Sequence, residues 1–592
     1  MLKRSIYILT TASLLLVAIA SLYRVYEFGQ QRFFTIDEYQ FGHATWLVSQ
    51  GQKPYVDFYE HHFPLSYVLH SVFFLGEPSD ASFEILALRL RKIVFVYILI
   101  ACLLAGISTH AATRDPHEAL LASFLPITFG FGLMSAIDYR ADTLAGFGFL
   151  CCLFLLELNR GWRLRVLAIW CGAMAMLCAL MTQKMAAMGG GAIALMIGVD
   201  VWRRLVRRNE SGVRPLITSP VAFAIAAGSV LVVAVGVAAG LGMLRQTFDI
   251  TIVQSLQHEA LYPEQSIGAY LEPFVSATWY STLPIALFAL SYCFTSSAGF
   301  WLCPLLAAIG VGALLQAQYP YNYVFVSYLI ALCAVRGFSQ LARRIPLGGG
   351  AREAARPLLY LLPLVVVPAQ LGFVSHTTSN QHQLAILNKI QSFSSDADAV
   401  IDNCGGALFR DHGSYYYQHG KFHREIFEPY FRNQLVEDYR RSRALFWIKD
   451  MRFKHLPEPV REYFESHYVR VDGDLWGLGF AVPPFHGEKP ELEIDVVRDG
   501  YYDVIPPAML TGDTRRGKRR LPPQSFWLDG ELVRSHRLHL SEGRHRIALT
   551  GNSPGFLLSL VPPSAFADRV PDEDEVRLRH TILFEYDQAD GS

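Results

Sequence analysis

Charge is scarce in this sequence. Of 592 residues, 18% are Asp, Glu, Lys or Arg, against about 25% in an ordinary soluble domain. The charges sum to zero, so no basic excess argues for a nucleic-acid partner, and none is expected. Cysteines available for cross-linking are missing too. Cys102, Cys151, Cys152, Cys171, Cys178, Cys293, Cys303 and Cys333 lie in apolar runs, where the thiol behaves as a small hydrophobe, and Cys404 stands alone in the polar C-terminal part. That part holds no internal disulfide, and no zinc-ligand spacing occurs along the chain. Gly189-Gly190-Gly191 lacks the Lys-Ser/Thr and preceding strand of a phosphate-binding loop, so its expected role is close helix packing. Repeats and low-complexity tracts are absent.

Long apolar runs dominate residues 93–376, broken by short basic loops, whereas residues 377–592 have the composition of a soluble protein. A hydrocarbon core about 30 Å thick needs roughly 20 apolar helical residues. Eleven segments are candidates: 5–24, 92–110, 118–136, 143–158, 166–183, 185–202, 216–242, 275–294, 299–316, 322–335 and 357–376. The first is preceded by Lys3 and Arg4, but no small-residue cleavage site follows it, so an uncleaved anchor is expected. Basic residues cluster before span 1 and after spans 4 (Arg160, Arg163, Arg165), 6 (Arg203, Arg204, Arg207, Arg208, Arg214) and 10 (Arg336, Arg343, Arg344, Arg352, Arg356). Eleven crossings put all of these on one side. The positive-inside rule makes that side the cytoplasm. The loops 25–91 and 243–274 and everything after 376 then face outward.

The expected architecture is a polytopic α-helical membrane protein of about 11 spans (1–376), followed by an extracytoplasmic mixed α/β region (377–485) and a β-sandwich-like domain (486–592). Asp398-Ala-Val-Ile-Asp402 reads as a strand, and 427–466 has helical periodicity. Leu492, Ile494 and Val496 alternate with polar positions, as Ile547 and Leu549 do more weakly. Asp529-Gly530 and Glu542-Gly543 read as hairpin turns. Trp527 and the Tyr501-Tyr502 pair are expected to serve core packing, with sugar stacking as the alternative.

The segment 32–70 carries the most chemistry. Thr35 to Glu38 forms a capping box that starts a helix and gives Glu38 a structural role, whereas Asp37 in the same first turn caps nothing. The helix is expected to end near Gly51. An extended stretch from Pro54-Tyr55 to Pro64 follows, and Leu65–Leu75 is too short to span and is expected to lie along the interface. Glu60-His61-His62 contains metal-ligand types, but adjacent side chains seldom chelate one ion, so no metal site is assigned.

In order, Asp37-Glu38, Gly51, Pro54-Tyr55, Asp57 and His62-Phe63-Pro64, placed in the first loop of a many-span chain, resemble the GT-C superfamily of membrane glycosyltransferases. The nearest branch is the bacterial one of aminoarabinose transferases, protein O-mannosyltransferases and Rgt-like transferases. The likeness covers about residues 1–380. Tyr139-Arg140-Ala141-Asp142 falls where that group often has Arg-x-Asp, and Gln183-Lys184 where related chains carry a lysine near the lipid phosphate.

The resemblance implies an inverting transfer of a sugar from a polyprenyl-phosphate donor to an envelope glycan, glycolipid or protein acceptor, in contact with the bilayer. Asp37 would be the general base, and Arg140 and Lys184 would stabilise the leaving phosphate. Asp142, Glu38 and Arg245 are further candidates for the donor side, and Asp57, His62, His258, Glu259 and Tyr262 for the acceptor or loop. A phosphate acceptor would need no base, and Asp37 would then position substrate. A divalent ion is left open, since some members use one and others do not. Structural alternatives stand beside these roles: Asp142 as a helix cap, Arg140 paired with Asp138 or Asp142, Lys184 as an interfacial anchor, and Tyr319, Tyr321 and Tyr323 as an aromatic belt. A transporter or flippase, or an envelope-glycan polymerase or ligase, is the alternative function. Transport calls for polar or broken helices near the bilayer midplane, and a polymerase favours a large late loop. The large loop here is the first.

Overall fold

The computed structural model describes residues 2–76, 81–162, 165–206, 220–254, 257, 266–294, 298–315, 319–345, 355–374, 379–417, 421–450, 452–485, 491–506, 525–549 and 553–561. Helix lies at each of the eleven expected positions. Six helices are long and apolar enough to cross a membrane, or seven if one bent pair counts as a single span. Both counts are of the described residues and rest on length and composition alone. Four further apolar helices, Val166–Ala179, Gln183–Val199, Phe300–Ala313 and Arg356–Gly372, are shorter. The local causes are visible. A π-turn at Ala186–Gly190 interrupts one helix, and Pro357 and Pro363 lie in a 3-10 stretch over Arg356–Val365 in another.

The elements that build the site come early: α1 (Leu2–Gln31), α2 (Ile36–Ser49), α3 (Leu65–Ser71), α4 (Phe83–Thr113), α5 (Pro116–Phe124), α6 (Gly130–Ala136) and α7 (Ala141–Trp162). The bent pair, from Pro116–Thr128 to Gly130–Ala136, turns by 67°. Val68, Val72, Phe73 and Leu75 in and after α3 are exposed, as an interfacial segment requires. In the expected glycine triplet, a Cβ on Gly189 would sit 2.2 Å from the Phe149 ring, whereas Gly190 faces open space. Close packing therefore rests on Gly189.

Two polar clusters mark the two ends of the bundle. At one, Arg336 of the helix Val324–Arg344 meets Glu118 and Glu157, and Arg343 meets Glu118. At the other, Arg32 after α1 meets Asp138 after α6 at 2.8 Å, and Thr182 donates to Asp142 of α7 at 2.6 Å. The two ends of α7 thus belong to different clusters, Asp142 to one and Glu157 to the other.

The C-terminal part contains β1 (Val400–Ile401), β2 (Phe446–Ile448), β3 (Tyr468–Asp472), β4 (Leu475–Val482), β5 (Glu491–Val496), β6 (Gly500–Ile505), β7 (Ser525–Leu528), β8 (Glu531–Arg534), β9 (Arg537–Leu540), β10 (Gly543–Leu549) and β11 (Phe556–Leu560). One sheet has the order β1-β2-β4-β11-β6-β9 with β3 on β4, and the other β5-β10-β7-β8. The first sheet runs across residues 485/486, so that border does not divide it: β4 pairs with β11. Residues 427–466 are not helical throughout, because β2 separates the helices Leu435–Ser442 and Glu458–His467. Phe446 and Trp447 are buried, and Trp447 stacks on Phe464 of the second helix. Asp529 and Gly530, both at positive φ, close the two-residue hairpin β7–β8. Glu542-Gly543 instead joins strands of different sheets, since β9 pairs with β6 and β10 with β5 and β7.

The α/β region is tied to the first loop by hydrogen bonds of about 1 kcal/mol net each. Asn380 donates to Gln30 O and Gln31 O, Gln383 exchanges bonds with the backbone of Phe34, and Gln391 does so with Ala81 and Phe83. A Cβ on Gly42 of α2 would meet Leu408 at 2.9 Å, and one on Gly405, at φ +85°, would meet His43 at 2.9 Å. These two glycines let the 404–408 loop press onto α2.

Candidate active site

The first turn of α2 carries the site. The Thr35 hydroxyl accepts from the Glu38 amide at 3.3 Å, and the Glu38 carboxylate accepts from the Thr35 amide at 3.4 Å, which completes the capping box. Glu38 is fully buried and takes a bidentate pair from Arg91 of α4, at 2.7 and 2.8 Å. Arg91 also donates to the carbonyls of Gly29, Arg32 and Phe33. One guanidinium thus fixes the end of α1, the start of α2 and α4 together. Such a buried pair costs desolvation, and its use here is positional. Glu38 faces Arg91 and not the cavity described below.

One residue earlier, Asp37 points the other way. Its side chain is 33% exposed, and its carboxylate is hydrogen-bonded to the buried Arg140. Burial works against the charge on Asp37. Arg140, Arg452 and the Arg140 hydrogen bond outweigh it and hold the carboxyl below its ordinary value. The Arg140 guanidinium carbon lies 3.4 Å from the centroid of the Tyr321 ring, and Lys184 Nζ lies 5.4 Å from the same centroid. Asp142 Oδ2 stands 3.9 Å from Arg140. Asp142 does not cap its helix: Oδ1 accepts from Thr182, and Oδ2 accepts no hydrogen bond among the described residues. Asp138 pairs with Arg32 instead of Arg140. Asp37, Arg140, Lys184 and Asp142 therefore gather around Tyr321.

Asp37, Arg140 and Tyr321 line a cavity of about 680 Å³ between the end of the bundle and the α/β region. Its far side is formed by residues after β1 and β2, including Cys404, Gly406, Lys449, Asp450 and Arg452. A volume of this order accommodates a small ligand.

The remaining candidates lie elsewhere. Asp57 accepts from the Lys53 amide at 2.7 Å and stabilises its own turn. His62 is buried, with Nδ1 2.8 Å from Glu60, and Glu60 also takes bonds from Gln40 and Tyr417. The ligand atoms of Glu60, His61 and His62 come within 4.8 Å of one another, nearer than adjacency alone leads one to expect. Arg245 is 91% exposed, pairs with Asp249 at 3.6 Å and does not line the cavity. His258, Glu259 and Tyr262 lie outside the described residues.

Sequence reasoning missed Tyr321, Lys449 and Arg452. Tyr321 belongs to the Arg140 cluster and not simply to an aromatic belt. For Lys449 and Arg452, the only trace in sequence is a charged tetrapeptide directly after the apolar Phe446–Ile448.

No protein-family model matches the chain, and no curated protein does. Among solved structures, the fold is similar to that of ArnT from Cupriavidus metallidurans in the apo state, with TM-score 0.48 and 12% identity over 79% of this chain and 97% of that one. It is similar to the Archaeoglobus fulgidus oligosaccharyltransferase in complex with Zn and sulfate, with TM-score 0.42 and 14% identity over 81% and 69%. For arabinosyltransferase EmbB from Mycobacterium smegmatis the values are 0.37 and 11% over 94% and 66%. All three of these proteins are glycosyltransferases of the GT-C superfamily.

Proposed function

We propose that the chain is an inverting glycosyltransferase of a bacterial cytoplasmic membrane, moving a sugar from a polyprenyl-phosphate donor to an extracytoplasmic acceptor. The observation that carries this reading is the Asp37–Arg140 pair, set where the bundle end opens onto the cavity. Lys184 stands behind the same tyrosine.

In the reaction, the acceptor hydroxyl oxygen attacks the anomeric carbon from the face opposite the phosphate. The bond from that carbon to the phosphate oxygen breaks, and the hydroxyl proton passes to Asp37. Polyprenyl phosphate leaves with one more negative charge than it carried in the donor. Arg140, able to hold two phosphate oxygens, and Lys184, a point charge, stabilise that charge as it develops. The Asp37–Arg140 ion pair supports an order of events within this reading. A base works best with a pKa near the working pH, and Asp37 is held well below that while it faces Arg140. Donor phosphate takes over Arg140, the local compensation falls, and burial raises the Asp37 pKa towards a useful value. The donor therefore both binds and switches on the base.

The test is transfer of labelled sugar from a panel of polyprenyl-phosphate sugars into a crude envelope acceptor mixture, with purified wild type and Asp37→Asn. Transfer by wild type and loss by a folded variant support the reading. Transfer that the substitution leaves untouched removes Asp37 as base. No transfer from any donor overturns the reading.

A further inference from the structure

We infer that the carboxyl ends of β1 and β2 form the acceptor subsite, and that this subsite selects an acceptor bearing an anionic group, carboxylate or phosphate, beside the attacked hydroxyl. This rests on the transfer reaction proposed above.

The argument starts from topology. β1 and β2 are parallel neighbours, and the chain leaves both at the same edge. In open parallel sheets ligands bind outside the carboxyl ends of the strands, and β1–β2 is the parallel pair of this otherwise antiparallel sheet. Here Cys404 and Gly406 after β1, and Lys449, Asp450 and Arg452 after β2, line the cavity whose floor holds Asp37. An acceptor seated on them has its hydroxyl directed at the base.

Charge decides the chemistry. On the floor, Arg140 is matched by Asp37 and Arg32 by Asp138. The roof also carries two acids: Asp450 accepts from Asn403 Nδ2 and the Arg452 amide, and Asp474 stands 3.8 Å from His382, whereas Lys449 and Arg452 form no ion pair among the described residues. Lys449 is held rather than dangling, because its Nζ lies 4.5 Å from the Phe453 ring centroid, 4.9 Å from Trp476 and 5.6 Å from Trp447. Aromatic faces position a cation without consuming its N–H donors. Arg452 is braced by one bond, Nη1 to Asn403 O at 3.0 Å, and its field reaches Asp37. The 402–407 backbone does not offer an anion cradle of its own. The amides of Cys404, Gly405 and Ala407 already donate to Asp402. Anion affinity at the roof therefore belongs to the two side chains.

The full chain in lipid nanodiscs is titrated with four probes: glucose, glucuronate, glucose 6-phosphate and farnesyl phosphate. Wild type is expected to bind glucuronate or glucose 6-phosphate at least tenfold more tightly than glucose, with a preference that falls as salt rises. Lys449→Ala/Arg452→Ala is expected to bring both charged sugars to the level of glucose while leaving farnesyl phosphate unchanged. A preference for only one of them identifies the anionic group. Equal binding of charged and neutral sugars by wild type, or an unchanged preference in the variant, overturns the inference. Loss of farnesyl phosphate alone overturns it too, by making the roof the donor site. Charge-conserving Lys449→Arg and Arg452→Lys keep the preference if charge is the cause, and separate it from misfolding. Binding is read without turnover, so the subsite and the transfer reaction stand or fall separately.

Discussion

The two ends of the helical bundle carry clusters of the same kinds of residue, and they are built for different purposes. At the basic end, Arg336 meets Glu118 at 3.1 Å, Glu157 at 2.8 Å and Thr109 at 3.1 Å, with Arg343 closing on Glu118. Arg336, Glu118 and Glu157 are all buried, and none of them lines the described cavity. At the loop end, Asp37 and Arg140 also pair, but the pair faces about 680 Å³ of space. An ionisable group at membrane depth is a functional candidate by default. The comparison narrows that rule: a cluster whose partners are all internal locks helices, and one that opens on a cavity is available to a substrate.

The largest expected effects come from exchanging the treatment of the two ends. Asp37→Asn should lower transfer by about 10²–10⁴-fold, the usual range for a general base, and should lower the thermal unfolding midpoint less than Arg336→Met does, because Arg140 keeps Asp142 at 3.9 Å. Arg336→Met leaves Glu118 and Glu157 buried without a counter-charge and should destabilise by about 3–5 kcal/mol, seen as a fall in folded yield and unfolding midpoint. The surviving molecules should retain wild-type specific activity. If Arg336→Met folds well and is inactive, the division between the ends fails.

Arg140→Gln should cost transfer about 10²–10³-fold, as for loss of one preorganised donor. It should also move the acid limb of kcat/KM. Asp37 is active when ionised, and Arg140 holds its pKa below the ordinary value. In wild type the limb therefore lies below about pH 4. Without Arg140, burial remains and the limb shifts upward. A limb that stays in place would mean another group titrates. The same depressed pKa gives the folded state a contribution present above about pH 4 and lost as pH falls through the lowered value.

A smaller effect is expected from Lys184→Ala, about 10–100-fold on transfer from the loss of one charged hydrogen bond of roughly 1.5–3 kcal/mol, read as a fall in kcat and kcat/KM. Smallest in chemistry is Gly405→Ala. A Cβ there meets His43 at 2.9 Å at a positive φ, so the loop must lift from α2, with a cost of about 1–3 kcal/mol. Its activity loss should be modest and suppressed at lower temperature.

Much of this was legible in the sequence. The apolar periodicity placed the helices, because a chain in hydrocarbon must satisfy its own backbone and has few ways to do so. The Thr35–Glu38 box marked the start of α2, since capping is a local bond between residues three apart. Span lengths were less legible, because prolines and a π-turn break the helical ladder inside apolar runs. Glu38 and Asp37 were adjacent and chemically alike. Only their hundred-degree separation around the helix, with Arg91 on one side and Arg140 on the other, gives them different work.

The sequence alone determined that this chain lies in a membrane, which residues begin its first loop helix, and which charges stand at span ends, because hydrophobicity and capping act over a few residues. Tertiary structure alone decided which charges meet. Arg140 chose Asp37 over Asp138, Tyr321 moved from a belt to the site, and Lys449 and Arg452 came to face a carboxylate more than 400 positions away. Those choices depend on how helices and a sheet edge converge in space, and no local pattern encodes that.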